Sequence, residues 1–343
     1  MIEVSILGST GLVGQRFIQL LSQNPSFKVV YLVASTKRRG SLFKDSVNWL
    51  LEENPSEAIL DQTLHDLTEE IPTKIVFSAL PSDIAGPVEE ELAKKEHIVF
   101  SNASAHRYDP FVPIIVPEVN PEHFNAVKFQ GTKGFIITNP NCSTAGLVIP
   151  LKAIKDKFGL KGVLVVTMQA LSGAGFPGVS ALSIYDNLIP YIEKEEEKIK
   201  KETRKILGKF ENVFEPDNLK LDARCNRVGV REGHTEVVFV ALEDNPSKEK
   251  FIETLKEFKG LPQELDLISS PGSPINVRSE IDRPQPYLDR LNGKGMTVTV
   301  GRVEKSSLFS FTFTILSHNT IRGAAGGSIE NAELFLKEGL LDV

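Results

Sequence analysis

Cys142 stands in the run Asn139-Pro140-Asn141-Cys142-Ser143-Thr144-Ala145-Gly146, a setting in which a thiol can act as a nucleophile. Pro140 and Asn141 form a turn, and Ser143 or Thr144 starts a helix. A thiol at a helix N-terminus has its pKa lowered by the helix dipole and the free N–H groups there. The same N–H groups can hold an oxyanion that develops as the sulfur attacks a carbonyl. A lone cysteine is more often buried and inert, but the polar turn argues against an apolar core for this one. The second cysteine, Cys225, lies in DARCNRVGVREGHTE and reads as structural. Near it, Arg227 and His234 flank a glycine-containing bend ahead of an apolar run. A histidine by itself is usually a surface or core residue. At the entry to a strand, His234 can pair with a thiolate as acid/base.

A second chemical signal lies near the N-terminus. Gly8-Ser9-Thr10-Gly11-Leu12-Val13-Gly14 joins an apolar run, 2–7, to an amphipathic stretch, 13–21. Glycine lets the backbone approach a pyrophosphate, and a helix N-terminus offers N–H groups and a positive dipole end. The spacing is GxxGxxG rather than GxGxxG, so its weight comes from its place in a strand–turn–helix–strand frame. An NAD site usually has an acidic residue at the end of the second strand. Here the residues are Ser35-Thr36-Lys37-Arg38-Arg39. Any one of those cations alone reads as a solvated loop residue. Together, beside the glycine turn, hydroxyls and cations suit a 2′-phosphate. NADP is the expected cofactor, contacted by Gly8, Thr10, Gly11, Leu12, Val13, Ser35, Lys37 and Arg38.

The elements that must position these groups follow from the hydrophobic pattern. Strands are expected at 2–7, 29–34, 75–80 and 98–101, with a helical segment at 88–95. This alternation implies a parallel sheet with helices on both faces. Beyond the cysteine turn the character changes. Longer strands at 163–170, 236–242, 296–303 and 309–316 suit a mixed or antiparallel sheet. A strongly charged helix spans 193–207 and a helix closes the chain over 326–341. A loop rich in Pro and Ser, 269–287, reads as ordered surface. The fold class is α/β plus α+β, with an N-terminal Rossmann-type NADP-binding domain and a second mixed-sheet catalytic and dimerisation domain. Expected boundaries are 1–145, joined by the C-terminal segment 319–343, and 146–318.

The chain has 343 residues, 41% of them hydrophobic, enough for two ordinary cores. Its 39 basic and 45 acidic residues leave −6, with no basic stripe to suit nucleic acid or a membrane surface. The opening MIEVSILGST lacks the basic and apolar regions of a signal peptide. No apolar run reaches the roughly 18–20 residues of a membrane span. Two widely spaced cysteines suggest free thiols in a reducing compartment, so a cytoplasmic location is expected, and they form no zinc pattern.

Seven segments together resemble aspartate-semialdehyde dehydrogenases of the archaeal/fungal-like branch. They are GSTGLVG near the start, SNASAHRYDPFVPIIVPEVN at 101–120, NPNCST at 139–144, QALSGAG at 169–175, EEEKIKKETRKI at 195–206, RVGVREGH at 227–234 and HNTIRGAAGG at 318–327. The resemblance spans essentially the whole chain in order and spacing. It implies reduction of L-aspartyl 4-phosphate to L-aspartate 4-semialdehyde by NADPH with release of phosphate. That reaction feeds lysine, methionine, threonine and isoleucine synthesis. It implies a Cys142 thioester, with His234 handling the proton and Gln169 orienting the acyl group. It implies Arg227 on the substrate α-carboxylate, Glu195 facing the amino group and Lys198 binding phosphate. It implies Arg107 as the arginine that holds the phosphate, with Asn102 nearby. Ser82, Ser172, Gly173 and Asn319 join the cofactor wall. Within the charged run most residues are only a solvated face, and Glu196 is a neighbour of the same type as Glu195. The resemblance also implies a homodimer or homotetramer, with a small-molecule substrate and inorganic phosphate as ligands.

Related enzymes share this chemistry. N-acetyl-glutamyl-phosphate reductases resemble the chain but usually carry Gly before the cysteine, where Asn141 stands here. Glyceraldehyde-3-phosphate dehydrogenases have a different cysteine motif. Malonyl-CoA reductases of some archaea are the main rival, taking a CoA ester through the same thioester step. The intact Asn141-Cys142-Ser143 favours the amino-acid enzyme. A catalytically silent NADP-binding protein on the same fold is the remaining alternative, and the joint presence of Cys142, Gln169, Arg227 and His234 speaks against it.

Overall fold

A computed structural model describes residues 1–339. Six parallel strands build the first sheet: β1 (Ile2–Leu7), β2 (Phe27–Val33), β3 (Leu64–His65), β4 (Ile75–Ser78), β5 (Ile98–Ser101) and β6 (Phe135–Thr138). Their order is β3-β2-β1-β4-β5-β6. This is the doubly wound order in which ligands bind beyond the carboxyl ends of the strands. Helix α1 (Leu12–Ser22) follows the glycine turn, and α2 (Ser82–Lys94) follows β4. The helix expected at 88–95 therefore starts earlier, at Ser82. Strands β3 and β6 were not anticipated. The first has two residues, too few for a periodic signal, and the second is a four-residue apolar run.

Helix α3 (Cys142–Phe158) leaves the end of β6 and crosses to the second sheet. That sheet comprises β7 (Leu160–Gln169), β10 (Lys220–Arg227), β11 (His234–Leu242), β12 (Ile275–Val277), β13 (Val298–Lys305) and β14 (Phe311–Ser317). A small hairpin, β8 (Lys209–Phe210) and β9 (Phe214–Glu215), lies apart from it. The order β10-β7-β11-β14-β13-β12 mixes parallel and antiparallel pairs, as expected. Strands β10 and β12 are additions, and β12 lies inside the expected 269–287 loop. The charged helix α4 spans Glu195–Leu207, and α5 spans Lys248–Glu257. The last helix, α6 (Gly326–Lys337), returns to pack on the first sheet, where Phe335 meets Phe100. The expected extension of this helix to 341 runs past the described residues. No helix among the described residues is long and apolar enough to cross a membrane.

Strand register sets the chemistry of one sheet face. Arg227 pairs with Gln169, Thr235 with Met168 (which brings Gln169 beside His234), and His234 with Ser317. Because side chains alternate faces along a strand, these four form one buried row. The next row inward is Cys225, Thr167, Glu236 and Ile315. The third is apolar: Ala223, Val165, Val238 and Phe313. Helix α3 covers this face, packing Leu147, Leu151 and Ile154 on the apolar end. Its N-terminus therefore projects over the polar end.

Candidate active site

Asn141 caps α3, which starts at Cys142, one residue earlier than expected. The Asn141 Oδ1 accepts the N–H groups of Ser143 at 2.9 Å and Thr144 at 3.3 Å. Two donors expected to face an oxyanion are thus taken, and the Cys142 N–H is the one the cap leaves. Asn141 is itself held by α4. Its Nδ2 donates to Glu195 at 2.7 Å, and its backbone N–H donates to the Glu202 carboxylate.

Cys142 Sγ lies 3.1 Å from His234 Nε2. On the far side of the ring, Nδ1 accepts the Ala170 N–H at 3.1 Å. A nitrogen that accepts carries no proton, so the neutral ring keeps its proton on Nε2, facing the sulfur. Burial, with Arg227 and His318 nearby, pushes His234 down to about 3. The same residue orients Arg227, whose Nη1 donates to the Ala170 carbonyl at 2.7 Å. Gly173 closes over both groups. A Cβ there would stand 2.8 Å from Arg227 Nη1 and 3.1 Å from His234 Cε1.

The thiol differs from expectation. Burial, reinforced by the Glu195 charge, pushes Cys142 up to about 12, against the opposing pull of Arg227 and Arg107. A helix terminus favours the thiolate, but Cys142 is half-buried at the base of the cleft, and loss of hydration there outweighs it. Cys225 is fully buried in the second row, in keeping with a structural role.

A cleft of about 700 Å³ opens above Cys142. Arg107, Asn102, Glu195, Lys198 and Arg227 line it, together with Leu12, Val13, Gly11, Ser82, Ser172, Gly173 and Asn319. The Arg107 guanidinium is tied by Glu202 at 3.0 Å and by the Asn102 carbonyl at 2.9 Å. Lys198 pairs with Glu195 at 3.6 Å. Glu196 turns away and pairs with Arg224 at 2.8 Å, so Glu195 is the carboxylate that faces the cleft. Asn319 bridges two walls, donating to Ser172 at 2.8 Å and accepting the Gly233 N–H at 2.9 Å. Gln169 stands in the sheet row, its amide on Thr167 Oγ1 at 3.3 Å, and is not among the lining residues.

The glycine turn has the close packing a dinucleotide cradle needs. Gly8 has φ +72°, and a Cβ there would lie 2.6 Å from the Ala79 carbonyl oxygen. A Cβ on Gly14 would lie 2.2 Å from the Gly8 oxygen, so α1 starts directly against the turn. At the outer end, the Arg38 guanidinium donates to the Thr10 hydroxyl. Ser35, Lys37 and Arg38 are exposed beside the turn.

Four participants were missed from the sequence. Glu202 was lost among the charges of α4. Ala170 acts only through its backbone. Gly323 packs against Cys142 within a π-helical turn, Ile321–Ala325. Glu236 is fully buried with no hydrogen-bond partner for either oxygen among the described residues, and burial raises it well above the usual carboxylate range. Its alternation with His234 along β11 was the available signal.

Two family profiles match the chain. "Semialdehyde dehydrogenase, NAD binding domain" covers residues 3–127, and "Semialdehyde dehydrogenase, dimerisation domain" covers 151–322. Aspartate-semialdehyde dehydrogenase from Methanothermobacter thermautotrophicus is 46% identical over 97% of this chain and 99% of its own. The enzyme of that name from Schizosaccharomyces pombe is 43% identical over 99% of each. The chain belongs to the aspartate-semialdehyde dehydrogenase family. A crystal structure of the aspartate-semialdehyde dehydrogenase of Candida albicans with NADP superposes with a TM-score of 0.92 at 39% identity, covering 99% of this chain and 100% of that one. Within this family member Cys142 falls between the two matched segments, where the first sheet hands the chain to the second.

Proposed function

We infer that this protein is an aspartate-semialdehyde dehydrogenase: it reduces L-aspartyl 4-phosphate to L-aspartate 4-semialdehyde with NADPH, reversibly. The observation that carries the reading is the Cys142–His234 contact of 3.1 Å at the floor of a cleft walled by two separate arginines. A substrate with phosphate at one end and carboxylate at the other needs one cation for each. Arg107, with Lys198, is assigned the phosphate, and Arg227 the α-carboxylate. Glu195 is assigned the amino group. The reading also takes inorganic phosphate as the released ligand, a homo-oligomer formed through the second domain, and a cytoplasmic location.

The residues act in sequence. The Cys142 sulfur attacks the acyl carbon, the S–H proton leaves with the departing phosphate, and a thioester forms on Sγ. Arg227 and the His234 Nε2–H stabilise negative charge on the sulfur. When bound, NADPH would supply the hydride that reduces the thioester. The Cys142 N–H and the His234 Nε2–H, both beside the sulfur, are assigned to the oxygen that then carries charge. Collapse of the thiohemiacetal releases the aldehyde and returns the sulfur. Arg38, Lys37 and Ser35 would hold the 2′-phosphate, while Gly8 and Gly11 would admit the pyrophosphate.

A substrate panel tests the reading. Aspartate semialdehyde with phosphate and NADP should turn over, and NAD should serve poorly. Turnover of malonyl-CoA with NADPH, and of nothing else, would replace the substrate while leaving the nucleophile in place.

A further inference from the structure

Helix α4 carries four inward-facing charges: Glu195, Lys198, Glu202 and Lys205. Their spacing of three, four and three residues keeps them on one helical face. The outer pair reads as substrate contact, but Glu202 touches no part of the open cleft. Its side chain is wholly buried, yet it meets two site elements that are far apart in sequence. One carboxylate oxygen accepts Arg107 Nη1 at 3.0 Å, and the other accepts the backbone N–H of Asn141. One turn further along, Lys205 Nζ donates to the Arg107 carbonyl at 2.8 Å and to the Val112 carbonyl at 2.7 Å. Helix α4 thus grips Arg107 by side chain and backbone. It grips Asn141 by its amide through Glu195 and by its backbone through Glu202.

We propose that Glu202 is a positioning residue that locks the phosphate-binding arginine and the nucleophile turn into one frame. The proposal rests on the assignment of phosphate to Arg107. Three physical points support it. An arginine on a loop has several rotamers, and only a fixed guanidinium presents its remaining N–H groups to an anion in one geometry. The Asn141 N–H would otherwise be a buried donor without a partner next to Cys142. A carboxylate is the only side chain of this length with two acceptors, so one residue can serve both donors. Glutamine cannot replace it. Its oxygen accepts from one partner, while its NH2 meets the other donor head-on.

Steady-state kinetics in the oxidative direction test the role, with phosphate and aspartate semialdehyde varied separately. In Glu202→Gln we expect the KM for phosphate to rise at least about tenfold and kcat to fall about 100-fold, the scale of a misplaced reacting group. The KM for aspartate semialdehyde, gripped by Arg227 on the other wall, should move less than about threefold. Glu197→Gln, on the exposed face of the same helix, should match wild type. Lys205→Met, which frees the Arg107 loop but keeps the carboxylate, should raise the phosphate KM with a smaller loss of kcat, and it serves if Glu202→Gln does not fold. An unchanged phosphate KM in the folded variant, or an equal rise in both KM values, overturns the proposal. If wild type shows no phosphate-dependent turnover, the phosphate assignment itself fails, and that result is distinguishable from the first.

Discussion

Gly323 backs directly onto Cys142: a Cβ at position 323 would lie 2.8 Å from the Cβ of the cysteine and 2.9 Å from its Cα. The neighbouring atoms are backbone and the root of the nucleophile, so nothing flexible can yield. Gly323→Ala should therefore shift the first residue of α3. Overpacking of this kind costs about 1–3 kcal/mol of stability, and displacement of the sulfur should lower kcat by about 100-fold. Chemical denaturation and steady-state rates on one preparation separate the two effects.

The Cys142 thiol is held up to about 12, chiefly by burial. Its alkylation by iodoacetamide should keep rising with pH through about 9, as for a thiol above its ordinary value of about 8.5. A plateau near neutral pH would mean that the helix terminus outweighs burial. Peptide mapping should place the label on Cys142 and not on the fully buried Cys225.

His234→Asn, which removes the Nε2–H donor, should reduce kcat by about 10²–10³, with little change in either KM. Because the ring sits near 3, its titration contributes no limb to the kcat/KM profile around pH 6–7. A His234-dependent limb in that range, absent from the variant, would contradict the neutral Nε2–H form derived from the Ala170 bond.

Arg16 of α1 pairs with Glu232 at 2.6 Å, next to the loop that presents His234. Burial alone would raise Glu232, but His318 and Arg16 outweigh it and hold the carboxylate at about 2. A depressed folded-state value means stabilisation that is complete above the ordinary 4.5 and is lost as the pH falls toward 2. Glu232→Gln should flatten the stability profile across that window. Arg16→Met removes one partner but leaves the Thr320 hydroxyl and His318 beside the carboxylate, and should cost about 1.5–3 kcal/mol. Urea midpoints from pH 2 to 7 measure both.

Lys37→Ala combined with Arg38→Ala should raise the KM for NADP about 100-fold, the loss of two charge-assisted hydrogen bonds of about 1.5 kcal/mol each. The KM for NAD, which has no 2′-phosphate, should stay within a factor of about two. Equal losses with both nucleotides would return these cations to an ordinary solvated loop.

The sequence by itself determined what short-range pattern can carry. A glycine turn between an apolar run and an amphipathic helix announces a dinucleotide cradle. A Pro-Asn turn ahead of Cys142 announces a thiol at a helix start. The switch from alternating strands and helices to longer strands announces a second, mixed sheet. Strand β10 was also within reach, since Leu221, Ala223 and Cys225 alternate with Lys220, Asp222 and Arg224. Burial, register and close approach came only with the tertiary structure. In EEEKIKKETRK every charge looks solvated, and only the docking of α4 on the cysteine turn separates buried Glu202 from exposed Glu197. The Arg227–Gln169–His234–Ser317 row joins four strands through pairings that no local period encodes. The thiol shows the division most clearly. Its helix terminus is a local property and readable in advance. Its desolvation depends on what the rest of the chain places around it, and here that long-range term decides the sign.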